Sequence, residues 1–136
     1  PLRAGAAPLA KITMHRDPHC GCCLKWAEAA KAAGFDVAIV AEENLRAFKT
    51  RAGVPEALAS CHTSLVGPYV VEGHVPFEAV RRLLAEKPDI RGIAVPGMPA
   101  GAPGMEMPDG RTQPYSVYQF DSAGKIGGFM KVAGAA

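Results

Sequence analysis

Short apolar runs alternate, along roughly the first two thirds of the chain, with segments whose apolar residues recur at helical spacing. The run LAKITMH at 9–15 contains β-branched residues and stops before Asp17 and Pro18, which predicts a first strand. In residues 24–33 the apolar side chains recur at near-helical spacing among Lys and Glu, and Gly34 follows them. This pattern predicts a helix of about three turns that ends at the glycine.

A second strand and a second helix are expected next. Residues 37–40 (VAIV) are continuously apolar, which predicts the strand. Asn44 is suited to cap a helix that runs through Arg51, and Gly53 is suited to close it.

The middle of the chain predicts a hairpin followed by a third helix. Two apolar runs, 63–66 and 69–71, are separated by a Gly-Pro pair alone, which favours a tight turn. Apolar residues at helical spacing in 77–84 predict the helix, and Pro88 ends it. The resulting order is typical of the thioredoxin-like α/β class, with a central mixed β-sheet flanked by helices on both faces.

The last third of the chain divides into a loop and a hairpin. The segment PGMPAGAPGMEMPDG at 96–110 is too rich in Gly and Pro for regular structure, whereas 115–120 and 126–132 predict a C-terminal β-hairpin extension. We therefore expect a single thioredoxin-like domain over 1–136, with a flexible N-terminal segment at 1–8.

Composition limits the classes of partner. The chain has 136 residues, 49% of them hydrophobic, which is enough for one packed core. Its 15 basic and 13 acidic residues are scattered, so there is no basic stripe and nucleic acid is not an expected partner. No apolar run approaches the roughly 18 residues of a membrane span, and the chain as given carries no signal peptide.

Three of the four cysteines, Cys20, Cys22 and Cys23, fall within four residues, which is the spacing of a site rather than of a disulfide framework. Cys20 and Cys23 form a CxxC pair at a predicted helix start, where the helix dipole lowers thiol pKa values. A low pKa suits both disulfide exchange and metal binding. Cys22 favours the metal, because a third thiol would offer wrong disulfide partners.

The donor atoms favour copper over zinc. Tetrahedral zinc sites usually take ligand pairs from separated segments, whereas this motif supplies three thiols from four consecutive residues. Bridging thiolates avoid that strain, so a small polynuclear cluster is expected. Soft thiolate and thioether ligands favour copper(I), and the four thiolates, with Cys61 as the fourth, would balance four copper(I) charges.

Two histidines are candidate ligands beside Cys61. Cys61 lies in the loop that the thioredoxin-like order places opposite the start of the first helix, and His62 follows it directly. The register of the predicted hairpin brings His74 back opposite Cys61. Each histidine is either a ligand or supporting residue of the metal site, or a hydrogen-bonded loop histidine.

The methionines of the Gly- and Pro-rich loop are further candidates. Met98, Met105 and Met107 lie outside any predicted core element, so their thioethers are expected to be copper(I) ligands or part of a lid over the site. His15 lies in the first strand and is expected to be a satisfied core histidine. His19 is expected to point to solvent.

Four separated strings, PHCGCCLKW, LASCHTSLV, YVVEGHVPFEAVRRLLAEKP and AVPGMPAGAPGMEM, resemble the CopG family of bacterial copper-resistance proteins. The resemblance runs from about Lys11 to Phe120. It implies a thioredoxin-like domain, export to the periplasm with the signal peptide removed, and a thiolate-bridged copper cluster. The family is similar in carrying His62, His74 and the methionine loop, whereas His19 departs from its pattern. The cluster thiols that the resemblance implies are Cys20, Cys22, Cys23 and Cys61.

Two functions from different classes are compatible with these features. The first is copper binding for tolerance, with copper(I) sequestered or cycling with copper(II); storage, transfer to other copper-handling proteins of the periplasm and copper-dependent oxidoreductase turnover all stay open. The second is a thiol-disulfide oxidoreductase that uses Cys20 and Cys23. His62 counts against it, because it stands before Thr63 where thioredoxin-like folds usually carry a cis-proline. Without metal or reductant, the CxxC pair is expected to close to a disulfide in an oxidising compartment.

Overall fold

The computed structural model describes residues 9–134, so the expected flexible segment at 1–8 lies outside the described residues. Within this part, three α-helices accompany seven strands. The helices are α1 (Gly21–Ala32), α2 (Leu45–Ala52) and α3 (Phe77–Glu86). The strands are β1 (Leu9–Arg16), β2 (Phe35–Ala41), β3 (His62–Val66), β4 (Tyr69–Gly73), β5 (Gly92–Val95), β6 (Tyr115–Phe120) and β7 (Ile126–Val132).

The seven described strands form one mixed sheet in the order β2-β1-β3-β4-β5-β6-β7. β1 pairs parallel with β2 and antiparallel with β3, and β3 and β4 form the predicted antiparallel hairpin. β4 pairs parallel with β5, while β5, β6 and β7 are antiparallel neighbours. The predicted order of strands and helices through α3, and the mixed α/β class, are confirmed.

Strand β5 was not predicted from the sequence. Its four residues, GIAV, are all buried, so they show no alternation of polar and apolar positions and are too few to give a periodic pattern. A side chain at Gly92 would collide with the Val70 carbonyl and with Phe120, so only glycine fits between β4 and β6. Because β5 bridges these strands, the C-terminal hairpin continues the main sheet.

Helices cover both faces of the sheet. The core under α1 and α3 is built around Trp26, Ala30, Val80 and Leu83, packed on Ile12, Met14 and Val71. The smaller core under α2 contains Phe48, Ala52, Val70 and Phe120. No helix in the described range is both long and apolar enough to cross a membrane.

One helix boundary moves and two predicted caps are confirmed. Helix α1 begins at Gly21, earlier than the predicted residue 24, because Cys20 adopts an extended N-cap conformation with φ −87° and ψ 103°. The Asn44 side chain accepts a hydrogen bond from the Ala47 amide at 3.1 Å, and Gly53 ends α2 in the left-handed region with φ 86°. The shift of α1 places the cysteine motif within its first turn.

Candidate metal centre

The cysteine motif occupies the N-terminus of α1. Cys20 is the N-cap residue, and Cys22 and Cys23 lie in the first turn. Cys20 and Cys23 form a disulfide with their Cα atoms 5.6 Å apart, as expected of the CxxC pair without metal or reductant. Cys22 and Cys61 keep free thiols.

Arg16, the last residue of β1, holds the turn that leads into the motif. Its Nη2 donates to the Pro18 carbonyl at 3.1 Å and to the Cys20 carbonyl at 2.9 Å. The Cys20 amide donates in turn to the Asp17 carbonyl at 3.1 Å. These bonds tie the start of α1 to the end of the strand.

Cys61 lies opposite the motif, as predicted. The Cys22 Sγ atom is 3.5 Å from Cys20 Sγ and 3.8 Å from Cys61 Sγ. The Cys23 Sγ atom is 3.5 Å from the Cys61 carbonyl. All four sulfur atoms lie within 4.8 Å of one another, a geometry that could hold a metal ion. We call these four residues the thiol cluster.

The two predicted histidines meet at the Cys61 sulfur. The Cys61 Sγ atom is 3.3 Å from His62 Nδ1 and 3.1 Å from His74 Nε2. The hairpin register explains this, because Thr63 pairs with Glu72, and continuing the ladder places Cys61 opposite His74. Cys61, His62 and His74 form a second group that could hold a metal ion, and Cys61 belongs to both groups.

A backbone carbonyl fixes the orientation of His74. The His74 Nδ1 atom is 2.7 Å from the Pro103 carbonyl oxygen. A carbonyl only accepts, so Nδ1 carries the proton and the Nε2 lone pair of the neutral ring faces Cys61. This is the usual arrangement of a metal-binding histidine, whose second nitrogen donates to a carbonyl or carboxylate.

His62 is a strand residue, so the alternative of a loop histidine is wrong for it. It begins β3 and is completely buried, with its ring centroid 5.0 Å from that of Trp26. Burial, with smaller contributions from His74 and Lys49, lowers the pKa of His62 to about 3, so the ring is neutral. Its Nε2 has no hydrogen-bond partner among the described residues.

Burial also sets the protonation of the metal-free cluster. It raises the pKa of the Cys61 thiol to about 12, and the neighbouring Cys22 adds to this effect. Burial lowers the pKa of His74. Without a cation the site therefore holds a neutral thiol at Cys61 and neutral imidazoles, and a metal ion that binds the Cys61 sulfur must displace its proton.

The loop at 96–110 packs against His74 and helix α1 through its backbone. Pro103 accepts the hydrogen bond from His74, and Gly104 packs so closely that an added Cβ would lie 2.9 Å from the Trp26 amide nitrogen and 3.0 Å from His74 Nδ1. The loop is thus in contact with a candidate ligand and with the first turns of α1.

The three methionines of this loop differ in exposure. Met98 is 55% exposed and lines a surface groove with Tyr115 and Tyr118. Met105 and Met107 are partly buried. Their role as ligands stays a prediction.

The remaining histidines, His15 and His19, belong to neither of the two donor groups. His15 Nδ1 is 2.7 Å from a Glu42 carboxylate oxygen, and its ring stacks on Phe48 with centroids 3.9 Å apart. It is a satisfied structural histidine, as predicted, although it is only partly buried. His19 is exposed, as expected, and its amide donates to the Asp17 side chain.

Sequence reasoning missed a buried polar group behind Cys61. Glu72 is completely buried on β4, where it contacts Lys49, Ser60 and Thr63. Burial raises the pKa of Glu72, and the Lys49 ammonium opposes that shift. The signal was a single acidic residue inside the apolar run YVVEG.

These features define a small α/β protein with a thiol-rich candidate metal site. Its structure is similar to two solved structures, both named as a copper resistance protein, copG. For Form 1 the TM-score is 0.86 and the identity 41%, covering 94% of this chain and 100% of that chain. For Form 2 the TM-score is 0.85 and the identity 40%, covering 93% and 99%.

Sequence comparisons agree with this similarity. The family described as "Protein of unknown function, DUF411" matches residues 58–105, which include Cys61, His62 and His74. No curated protein matches the sequence significantly. From the identity and coverage of the two solved structures, the chain belongs to the CopG family of copper resistance proteins.

Proposed function

We propose that this protein binds copper(I) for copper tolerance. The copper ions form a thiolate-bridged polynuclear centre, whose ligands include the four cysteines of the thiol cluster. The observation that carries the proposal is the convergence of four sulfur atoms within 4.8 Å of one another. Soft thiolates select copper(I), and the solved relatives are named as copper resistance proteins.

The number of donors supports more than one ion. The four sulfurs and the nitrogens of His62 and His74 make six donors, whereas one tetrahedral ion takes four. Cys61 belongs to both groups, so its thiolate is placed to bridge two ions. Met98, Met105 and Met107 are the thioethers that we propose as further ligands or as part of a lid over the site.

The Cys20–Cys23 pair can exchange electrons with the copper ions of the proposed cluster. The thiolates of Cys20 and Cys23 can reduce two copper(II) ions to copper(I) while a disulfide forms, so two electrons leave the sulfurs and each copper gains one. A cellular reductant must then reopen the disulfide before the four thiolates can bind again. We propose that copper(I)/copper(II) cycling uses this couple.

Metal analysis tests the cluster. The protein is reduced, loaded anaerobically with copper(I) and freed of loosely bound ions. We expect more than one copper per chain, and fewer in Cys22→Ser, which keeps the CxxC pair. A protein that binds one zinc per chain and no copper would contradict the proposal.

A thiol-disulfide oxidoreductase is the alternative function, and one observation favours it. The Cys20–Cys23 disulfide joins the N-cap residue of α1 to its first turn. A disulfide-reduction assay with and without copper separates the two functions. Activity of the metal-free protein that survives Cys22→Ser would favour the oxidoreductase.

We also infer that the protein works in the periplasm and exchanges copper with other copper-handling proteins there. The disulfide supports an oxidising compartment. Cell fractionation of a producing bacterium tests the location, and recovery of the protein only with cytosolic markers would contradict it.

A further inference from the structure

A single buried carboxylate lies behind the Cys61–His62 pair. Glu72 Oε2 accepts a hydrogen bond from the Ser60 amide at 2.8 Å, and Oε1 accepts one from the Thr63 hydroxyl at 2.6 Å. Lys49 Nζ, which reaches across from α2, is the third donor. Ser60 and Thr63 immediately flank Cys61 and His62, so one side chain holds both ends of the segment that carries two candidate ligands.

We propose that Glu72 is a positioning residue of the metal site, which fixes Cys61 and His62 before metal arrives; this inference rests on the proposed copper function. Ser60 precedes β3, where the chain is not held by the sheet, so its amide needs a partner outside the strand ladder. Glu72 supplies that partner.

The surroundings of Ser60 support a fixed geometry. The Ser60 hydroxyl donates to the Gly97 carbonyl at 3.0 Å, which ties the start of the methionine loop to the same point. Gly73 packs against it with φ 79°, and an added Cβ there would lie 2.8 Å from Ser60 Cβ and 2.5 Å from the Val95 carbonyl. Movement of Ser60 would therefore disturb both the Cys61 thiol and the loop that packs against His74.

Stability alone does not account for the ion pair between Glu72 and Lys49. The Glu72 side chain is 0% exposed and that of Lys49 only 12%. Desolvating two charges costs about as much as their attraction returns, so apolar residues of similar size often serve a core equally well. What an apolar pair cannot supply is the acceptor for the Ser60 amide and the Thr63 hydroxyl.

Two double variants isolate that acceptor. Glu72→Gln with Lys49→Leu removes both charges but keeps a side-chain oxygen that the Ser60 amide can reach. Glu72→Leu with Lys49→Leu removes the charges and the oxygen together. Leucine is chosen over methionine because it adds no thioether that could bind copper. Circular dichroism and thermal melting establish that each variant folds.

We expect the Gln/Leu variant to bind copper(I) within about twofold of the wild type in anaerobic competition with a chromophoric chelator. The Leu/Leu variant should bind about 10- to 100-fold more weakly, the usual cost of losing an outer support of a metal ligand. Ser64→Ala is the control, because this buried hydroxyl on β3 has no hydrogen-bond partner among the described residues, and its copper affinity should not change.

A second readout needs no copper. With Cys20, Cys22 and Cys23 replaced by serine, Cys61 is the single thiol. Its alkylation rate then measures how often the Cys61 side chain moves out of its buried position. The rate should rise several-fold with the Leu/Leu pair and stay unchanged with the Gln/Leu pair. Equal rates and equal affinities in both pairs would overturn the inference. A wild-type protein that binds no copper, with the difference in alkylation intact, would instead overturn the proposed function and leave the positioning role standing.

Discussion

At the scale of single residues, Cys61 is the residue that belongs to both groups of candidate metal ligands, the four cysteines and the Cys61–His62–His74 group. Its sulfur lies 3.8 Å from Cys22 Sγ on one side and 3.1 Å from His74 Nε2 on the other. Its raised pKa reflects burial, so a proton occupies this sulfur until a cation displaces it. Copper(I) affinity should therefore increase with pH across the neutral range, because each thiolate that binds must first lose a proton.

The burial of His62 predicts that the metal-free protein becomes less stable in acid. Its pKa in the folded state is about 3, against 6.5 in the unfolded chain, so the unfolded state binds more protons between these values. The free energy of unfolding should fall as the pH drops from about 6.5 towards 3, with a slope of up to about 1.4 kcal/mol per pH unit for each proton taken up. His74, whose pKa burial also lowers, adds in the same direction.

Urea denaturation at several pH values between 7 and 4 measures this slope. His62→Leu should reduce the slope by up to about 1.4 kcal/mol per pH unit, the contribution of one proton. His19→Ala, at an exposed position, should leave the slope unchanged. An identical slope in His62→Leu would show that this ring does not limit stability in acid.

At the scale of elements, the site is built where three segments end. The N-terminus of helix α1 carries three cysteines, Cys61 and His62 lie just before and at the start of β3, and His74 follows β4. The methionine loop closes against these ends through Pro103 and Gly104. Each segment is anchored in the sheet or the core, so the donors converge without metal.

Gly104 tests the contact between the loop and the site. It has φ 85°, and alanine there would press on the Trp26 amide and on His74. We expect Gly104→Ala to displace the loop, to weaken the bond from His74 to Pro103 and to make copper(I) dissociate faster. Transfer of copper to an excess of chelator, followed by stopped flow, measures that rate.

Gly110→Ala is the matched control for this variant. Gly110 has a similar φ of 75°, but no described atom lies within 4 Å of an added Cβ. Both substitutions should cost about 1 kcal/mol of stability from backbone strain, and only Gly104→Ala should change the copper dissociation rate. Equal dissociation rates would mean that the loop does not retain copper.

Gly92 tests the junction between the main sheet and the C-terminal hairpin. Alanine at this position would collide with the Val70 carbonyl across the β4–β5 pair. We expect Gly92→Ala to destabilise the protein by about 3 kcal/mol in urea denaturation. Gly128→Ala on β7, where no described atom lies within 4 Å of the added Cβ, should have a much smaller effect.

The sequence predicted which cysteines and histidines lie close together better than it predicted the whole sheet, for physical reasons. The Gly-Pro turn fixes the register of the β3–β4 hairpin, and that register alone brings His74 to Cys61. Strand β5 has no alternating pattern because both of its faces are buried. The role of Glu72 depends on which side chains face it across the sheet and from α2, information that a linear pattern does not contain.

At the scale of the whole molecule, the chain carries buried ionisable groups on both faces of one sheet. His62 packs with Trp26 towards α1, and Glu72 bonds to Lys49 from α2. At the site, Cys20 and Cys23 are joined by a disulfide. In the proposed cluster Cys20 and Cys23 bind as thiolates, so the disulfide must open first, and the effects of reduction and copper binding on stability are linked.

Copper(I) should therefore stabilise the reduced protein much more than the disulfide form. In the reduced state four adjacent thiols can bind, and at about 1,000-fold excess of free copper over the dissociation constant a single site adds about 4 kcal/mol. For a domain of this size we expect a rise in melting temperature on the order of 10 °C. The disulfide form, in which Cys20 and Cys23 are blocked, should shift far less, as should reduced Cys61→Ser. Differential scanning fluorimetry under argon, with buffered copper(I), makes the comparison. An equal shift in the reduced and disulfide forms would mean that copper binds elsewhere on the protein than at the thiol cluster.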